Sequence, residues 1–335
     1  MEPAARVFRG SSVEAVHHAS VAVVDGEGNL TRYLGDPDHL SVTRSSIKPF
    51  QLLPLLVVGA AEKYAFSSEQ LAVMCGSHTG TDRHREVVLS NLEQAGNLPE
   101  HLQCGCHRPI WMEQEEVYPA SGEDKDPVRH NCSGKHSGFL ALARYLGDPL
   151  GEYINPESKA QRLVKETLAG YCEYDLKKMP YAVDGCSAPN YPLPLLNLAL
   201  GFMKLANHRG ETPEVVAAAR CVKEAMTTHP FMVSGDKRLD YDLKRSFPGN
   251  AVSKIGAESI EGIGFSNPPL GIAVKVHDGN FRALGPVVVE VLRQLGIIGN
   301  IDDFPLLRPY ERPDVRNSRG IVTGQVVAEF MLKKG

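Results

Sequence analysis

Strand-like sequence lies near both ends of the chain with mainly helical sequence between, and that arrangement limits the fold more than any other feature. Near the N-terminus, His17 to Val24 reads HHASVAVV, followed by the turn Asp25-Gly26-Glu27-Gly28-Asn29 and then LTRYLG. β-Branched residues around a glycine-rich turn predict a β-hairpin. A second hairpin is predicted from Gly271 to His277, across Asp278-Gly279, into Asn280–Leu284, followed by a helix over 286–295 that stops at Gly296. Between them, Ser67-Ser68-Glu69-Gln70 is a capping box ahead of LAVM, and Asp82 can cap a helix over 83–95. Helical spacing continues over Ser133–Tyr145 up to Gly147, Glu157–Tyr171 and Pro194–Ala206, and Thr212-Pro213-Glu214 opens a further helix. Strands from both ends imply a mixed antiparallel sheet closed by joining the termini and flanked by helices, an α/β (α+β) architecture. The chain is expected to form one integrated unit over 1–335. The proline-containing segment 300–320 is expected to be an ordered irregular crossing or a strap facing a partner.

Composition removes several classes of function. A net charge of −4 gives no global basic field, so neither nucleic acid nor an anionic membrane is expected as a partner. The longest apolar stretch, Phe50 to Ala61, is interrupted by Gln51 and Pro54 and is too short to span a bilayer. Residues 1–10, MEPAARVFRG, lack the apolar core of a secretory signal. Seven cysteines, an odd number in a chain of 335, do not form a disulfide framework. A cytoplasmic, reduced protein is therefore expected, with clustered cysteines read as metal or redox candidates.

Chemistry concentrates in a few segments. In TRSSIKPFQ, Ser45 and Lys48 are spaced i, i+3, so a helix brings them to one face. A serine hydroxyl becomes a nucleophile when a neighbouring base takes its proton, and lysine is that base only when burial or nearby positive charge lowers its pKa. Alone, the pair reads first as a helix cap with a solvent-facing lysine, since S-x-x-K recurs often by chance. Cys75-Gly76-Ser77-His78-Thr79-Gly80 crowds small and hydroxyl residues as a close ligand approach needs. Ser253-Lys254-Ile255-Gly256-Ala257-Glu258, on or near an edge strand, parallels the late Lys-x-Gly element that accompanies S-x-x-K in serine amidohydrolases. In HNCSGKHSG, Cys132 and His136 are spaced i, i+4, and Cys186 of DGCSAPN can close a zinc site with them. Two structural thiols at a polar helix start would produce the same pattern. Cys104-Gly105-Cys106-His107 is metal-like in type but reads as a surface loop, while Cys172 and Cys221 lie in helical patterns as packing residues.

Taken together, TRSSIKPFQ, CGSHTG, HNCSGKHSGFL, DGCSAPN and SKIGAE, with the late VHDGN and NSRGIVTG, resemble the motif set of the rhizobial-type (class 3, asparaginase II family) L-asparaginases along essentially the whole chain. The resemblance implies a fold similar to serine β-lactamases and glutaminases, and a homodimer. It implies two Ser–Lys tandems, Ser45 with Lys48 and Ser77 with Lys254. It also implies a zinc site near the substrate pocket formed by Cys132, Lys135 and Cys186, with Lys135 in place of the His136 that spacing favours. His136 then stays as a pocket residue. Ser259 stands where the family often carries glycine.

The expected reaction is hydrolysis of L-asparagine to L-aspartate and ammonia through a β-aspartyl ester on Ser45 or Ser77, Ser45 being preferred. A zwitterionic substrate needs a cation for its α-carboxylate and an acceptor for its α-amine. Arg44 and Asp184 are the candidates, with His136 and Asn190 nearby in motif. Glutamine differs by one methylene, worth only about 1–3 kcal/mol in an unspecialised pocket, so glutaminase activity is the first alternative. A zinc-stabilised asparagine-binding protein without turnover is the alternative from another class.

Overall fold

The computed structural model describes residues 2–117 and 125–335. Nine strands form one antiparallel sheet: β1 (Glu2–Arg9), β2 (Ser12–Asp25), β3 (Leu30–Leu34), β4 (Ala251–Gly256), β5 (Ile260–Ser266), β6 (Pro269–Val276), β7 (Asp314–Arg316), β8 (Val322–Ala328) and β9 (Lys333–Lys334). Their order is β7-β8-β1-β2-β6-β5-β4, with β3 also paired to β2 and β9 to β3. Strands from both ends of the chain thus share one sheet, as the two-ended strand pattern requires. Strand β2 is its pivot: it pairs β1 in the register Ala19↔Glu2, β3 in Val21↔Leu34 and β6 in Val24↔Gly271.

The run VAVV reads as continuous apolar sequence because both faces of the sheet are buried. Ala22, Val24 and Ala273 point into a core shared with the helices α1 (Lys48–Val57), α2 (Ser68–Met74), α4 (Ser133–Leu146), α5 (Lys159–Tyr171), α6 (Leu195–Ala206) and α7 (Pro213–Thr228), which follow α3 (Asp82–Gln94) or flank it in chain order. Their neighbours Val21, Val23, Ile272 and Val274 point the other way, into a second core. That core is closed by α9 (Phe281–Gln294), through Val287, Val288, Val291 and Leu292. Glycines set the spacing on the first face. A methyl group at Gly264 or Gly271 would overlap the backbone carbonyl of Phe202 or Ala199, so α6 lies directly on β5 and β6.

Local signals account for most helix boundaries. Ser67 and Gln70 form the reciprocal capping box, Gly147 ends α4 in the left-handed conformation, and the Thr212 side chain caps α7. At α3 the cap is Thr81, not Asp82, which is the first helical residue. The second hairpin differs from expectation. β6 ends at Val276, and the expected return arm Asn280–Leu284 is instead the start of α9, because the Asn280 side chain accepts a hydrogen bond from Arg282 N at 3.2 Å and caps the helix. The hairpin partner of β6 is β5. The segment 300–320 is ordered around a short helix, Arg308–Glu311, and β7, and Tyr310 Oη donates to Asp242 at 2.6 Å.

Candidate active site

The site lies where the helical core meets the last strand of the sheet, β4, every residue of which is buried. Close backbone approaches assemble it. A methyl at Gly76 would come within 2.8 Å of Val73 O and 2.9 Å of Met232 O, and one at Gly134 would overlap Val73 O. The end of α2 therefore abuts the start of α4, and Ser77 N is fixed by a 2.8 Å hydrogen bond to Val233 O. Ser77 and Cys132 become neighbours although 55 residues separate them.

Ser45 lies in the 3-10 turn Arg44–Ile47 that feeds α1. Arg44 itself has φ +49°, a left-handed conformation that costs a non-glycine residue about 1–3 kcal/mol and persists only when its surroundings hold it. Asn190 does so: its Oδ1 accepts from Arg44 N at 3.1 Å and from Thr43 Oγ1 at 3.1 Å, and its Nδ2 donates to Arg44 O at 2.9 Å. The hairpin loop between β4 and β5 is strained in the same way, with Glu258 at φ +61° and Ser259 at φ +55°. Glycine is favoured at such an angle. Here Ser259 is buried instead, and its hydroxyl donates to Gly279 O at 2.9 Å.

Lys48, the first residue of α1, is buried. Its Nζ donates to Ser77 Oγ at 3.0 Å and to Gly76 O, and lies 3.2 Å from Cys132 Sγ. The serine it reaches is thus Ser77. The Ser45 hydroxyl, half-exposed, makes no hydrogen bond with the described residues. Lys254, on β4, is fully buried and forms no hydrogen bond with Ser77. Its Nζ donates to Ile255 O at 2.7 Å and lies 3.5 Å from Asp240 Oδ2. Burial pushes the Lys254 ammonium down to about 7, with Asp240 opposing the shift and Lys48 assisting it. Asp240 also lies 3.8 Å from Lys244 Nζ, and the adjoining Glu261 is driven well above the carboxylate range by burial and by Asp240.

A cavity of about 320 Å³ opens over these groups, lined by Arg44, Ser45, Ser77, Cys132, Asp184, Cys186 and Arg238 among others. Its size suits a small amino-acid amide. Arg44 Nε donates to Asp184 Oδ1 at 2.8 Å, so these two expected substrate contacts face the cavity already paired. Asn190 and His136 do not line it. Asn190 is engaged by the Arg44 backbone, and buried His136 has Nδ1 2.7 Å from Tyr153 Oη, with no hydrogen-bond partner at Nε2.

Cys132 and Cys186, in the cavity wall, are largely buried together with Lys135 behind them, and Lys135 Nζ lies 3.0 Å from Cys186 Sγ. The Cys132 thiol donates to Cys186 and, against the cost of burial, Lys135 adds positive charge beside it. Together they hold Cys186 far below the ordinary thiol range. Burial opposes the charge on Lys135, but the two cysteines outweigh it and raise its pKa. Among the described residues no group of three or more His, Cys, Asp and Glu side chains is placed to hold a metal ion. The metal-capable donor set is the mixed one, two thiols and an amine, with the orphan His136 Nε2 near Cys186.

Sequence reasoning missed several residues here. His107 lines the cavity and its Nε2 accepts from Asn131 N at 3.1 Å, so the Cys104–His107 loop contributes its histidine to the site and leaves Cys106 exposed. His130, also lining, accepts from Cys132 N through Nδ1 at 3.0 Å, and burial lowers it to about 3, keeping the ring neutral. The adjacency of His130 to the CSGK motif was a usable signal. Arg238, Asp240 and Glu261 had none, lying in segments of ordinary helix and strand pattern.

No helix among the described residues is long and apolar enough to cross a membrane. No curated protein matches the chain. Among solved structures, the octameric penicillin-binding protein homologue from Pyrococcus abyssi is similar, at 13% identity and a TM-score of 0.46, over 90% of this chain and 79% of that one. The family profile described as L-asparaginase II matches residues 5–328 and so takes in every segment that builds this cavity. The chain belongs to the L-asparaginase II family, whose name makes it an amidohydrolase with a small-molecule substrate.

Proposed function

We propose that the protein hydrolyses L-asparagine to L-aspartate and ammonia by way of a serine ester. The observation that carries this reading is the 3.0 Å hydrogen bond between Lys48 Nζ and Ser77 Oγ, buried at the floor of a cavity that Ser45 also lines. Ser77 is only 3% exposed and its hydroxyl is committed to Lys48, which suits a proton relay. Ser45 is half-exposed and unbonded, which suits the attacking group. Ser45 Oγ then adds to the side-chain amide carbon, its proton passing through Ser77 to Lys48 and returning to the departing ammonia. Lys254, with its ammonium lowered to about 7, sits beneath as a second group able to exchange a proton near neutrality. Water cleaves the resulting β-aspartyl ester.

A zinc ion fits the residues present. Cys132 and Cys186 would hold it through sulfur and Lys135 through its amine, the ammonium and thiol protons being released on binding, and the ion would supply positive charge beside the substrate. The reading carries with it a homodimeric, cytoplasmic enzyme.

The test is ammonia release from L-asparagine and L-glutamine in parallel, with Ser45→Ala and Ser77→Ala alongside, and mass spectrometry of acid-quenched enzyme to locate the ester. Release from asparagine with the ester on Ser45 is expected. An ester on Ser77 would reverse the two serines' roles, and no release from either amide would overturn the hydrolase reading. Zinc content, measured on wild type and Cys186→Ala by elemental analysis, is expected to fall in the variant.

A further inference from the structure

The cations around the cavity differ in what they are free to do. The Arg44 guanidinium is held by Asp184 at 2.8 Å, with Glu258 at 3.9 Å. Lys48 is engaged by Ser77 and Gly76 O, and Lys254 by Ile255 O and Asp240. Arg238 has none of this. It lines the cavity, its guanidinium forms no hydrogen bond or ion pair with any described residue, and its Nε is buried without a partner.

Neither Asp240 nor Asp242 lies within ion-pair distance of it. Asp240 lies between Lys244 and Lys254, and Asp242 accepts from Tyr310 Oη at 2.6 Å. Nor is its position incidental. Gly235, at φ +82°, packs so closely on Thr79 that a methyl there would overlap the Thr79 side chain, which fixes the segment leading to Arg238 against the loop that carries Ser77. Arg238 then caps α8 (Leu239–Ser246) with extended backbone, φ −134° and ψ 141°. A buried, unpaired guanidinium nitrogen is costly, and such groups call for a specific explanation.

We propose that Arg238 is the anchor for the α-carboxylate of the amino-acid substrate. Its planar fork matches a carboxylate through two parallel N–H···O bonds. Arg44, expected from sequence to take this role, would have to leave Asp184 first. The Arg44–Asp184 pair instead presents the remaining carboxylate edge of Asp184 to the α-amine. The inference rests on the amidohydrolase reading for the identity of its ligand, but its chemistry, an α-carboxylate on a free guanidinium, can be tested separately.

The experiment compares wild type, Arg238→Gln and Arg238→Lys on two amides, L-asparagine and β-alaninamide, which differ only by the α-carboxylate. The ratio of kcat/KM for asparagine to that for β-alaninamide is expected to fall roughly 10- to 100-fold in Arg238→Gln, the loss of a charged hydrogen-bonded pair, and less in Arg238→Lys. An unchanged ratio, whether both rates fall together or neither does, overturns the proposal and leaves a structural role. Calorimetric binding of L-aspartate and β-alanine gives a readout independent of turnover. L-Aspartate is expected to bind wild type and to lose 10- to 100-fold in affinity in Arg238→Gln. If wild type releases no ammonia but aspartate binding still depends on Arg238, the hydrolase reading falls and the anchor stands. If asparagine is hydrolysed but aspartate binds both proteins equally, or wild type binds none, the anchor falls.

Discussion

Replacing Asp240 by asparagine keeps the shape of the side chain and removes the carboxylate that two buried lysines share. Asp240 Oδ2 lies 3.5 Å from Lys254 Nζ and 3.8 Å from Lys244 Nζ, all three side chains being inaccessible to solvent. At an effective dielectric constant near 20 these separations correspond to about 5 and about 4 kcal/mol of gross attraction. Desolvation consumes much of that. Breaking a buried pair by removing one partner costs about 3–5 kcal/mol, the magnitude expected at pH 6, below the pKa of Lys254. The cost should shrink as pH rises. The folded-state pKa of Lys254 is depressed to about 7 from an ordinary value of 10.5, so the native state sheds this proton from pH 7 upward while the unfolded chain keeps it. Wild-type stability therefore rises through that window. Without Asp240 the lysine pKa drops further, its window opens at lower pH, and the deficit at pH 9 should be roughly half of that at pH 6. The other groups facing Lys254 act in known directions: Lys48, Arg238 and Lys244 lower it, while burial drives the carboxyl of Glu261 well above the carboxylate range. Urea unfolding of both proteins at pH 6, 7.5 and 9 measures the deficit. The acid limb of kcat/KM against pH should move to lower pH in the variant as the neutral amine becomes available earlier. A deficit independent of pH, or a limb that stays put or moves upward, would refute the electrostatic account.

Three further substitutions probe the scaffold. Asn190→Ala removes the side chain that holds Arg44 at φ +49°, so a loss of about 1–3 kcal/mol in stability together with a fall in kcat is expected. A normal kcat would show that the turn before α1 does not place Ser45. Gly264→Ala forces a methyl into the Phe202 carbonyl and should destabilise by about 1–3 kcal/mol or more, whereas Gly299→Ala, with open space around it, should stay within about 0.5 kcal/mol of wild type. Equal melting temperatures for the two variants would contradict the tight seating of α6 on the sheet.

Features written in neighbouring residues were legible. Ser67 with Gln70, Gly147, and Thr212 with Pro213 announce helix ends, and the β-branched residues around the glycine-rich turn at 25–29 announce a hairpin. Where two local patterns compete, a cap decided: Asp278-Gly279 is a good hairpin turn, but Asn280 nucleates a helix behind it. Long-range pairings were not legible, since β2 gives no sign that its partner is β6, about 250 residues away. At the site, the motif residues Ser45, Lys48, Ser77, Asp184 and Cys186 do gather around one cavity. Which hydroxyl meets which amine depended on the crossing of α1, α2 and α4, and the contact formed, Lys48 with Ser77, crosses the two tandems expected from the motifs. The acids beneath Lys254 and the free guanidinium above it were invisible, because a charged residue in a helix, a strand or a turn normally faces water.

The placement of β2 at the pivot of the sheet has a consequence during synthesis on the ribosome. One edge of β2 is covered early, first by β1 and then by β3, both within 34 residues of the start. Its other edge, alongside VAVV, must wait for β6 to emerge. At roughly 5–20 residues per second that wait is on the order of 10–50 s. Throughout it the nascent chain presents an unpaired apolar strand edge, the kind of surface that invites aggregation and chaperone capture. Lys254 and the hairpin loop that shapes the cavity arrive in the same late stretch, so the cavity cannot be complete in any earlier intermediate. Folding yield, more than final stability, is then the quantity most sensitive to changes in β2.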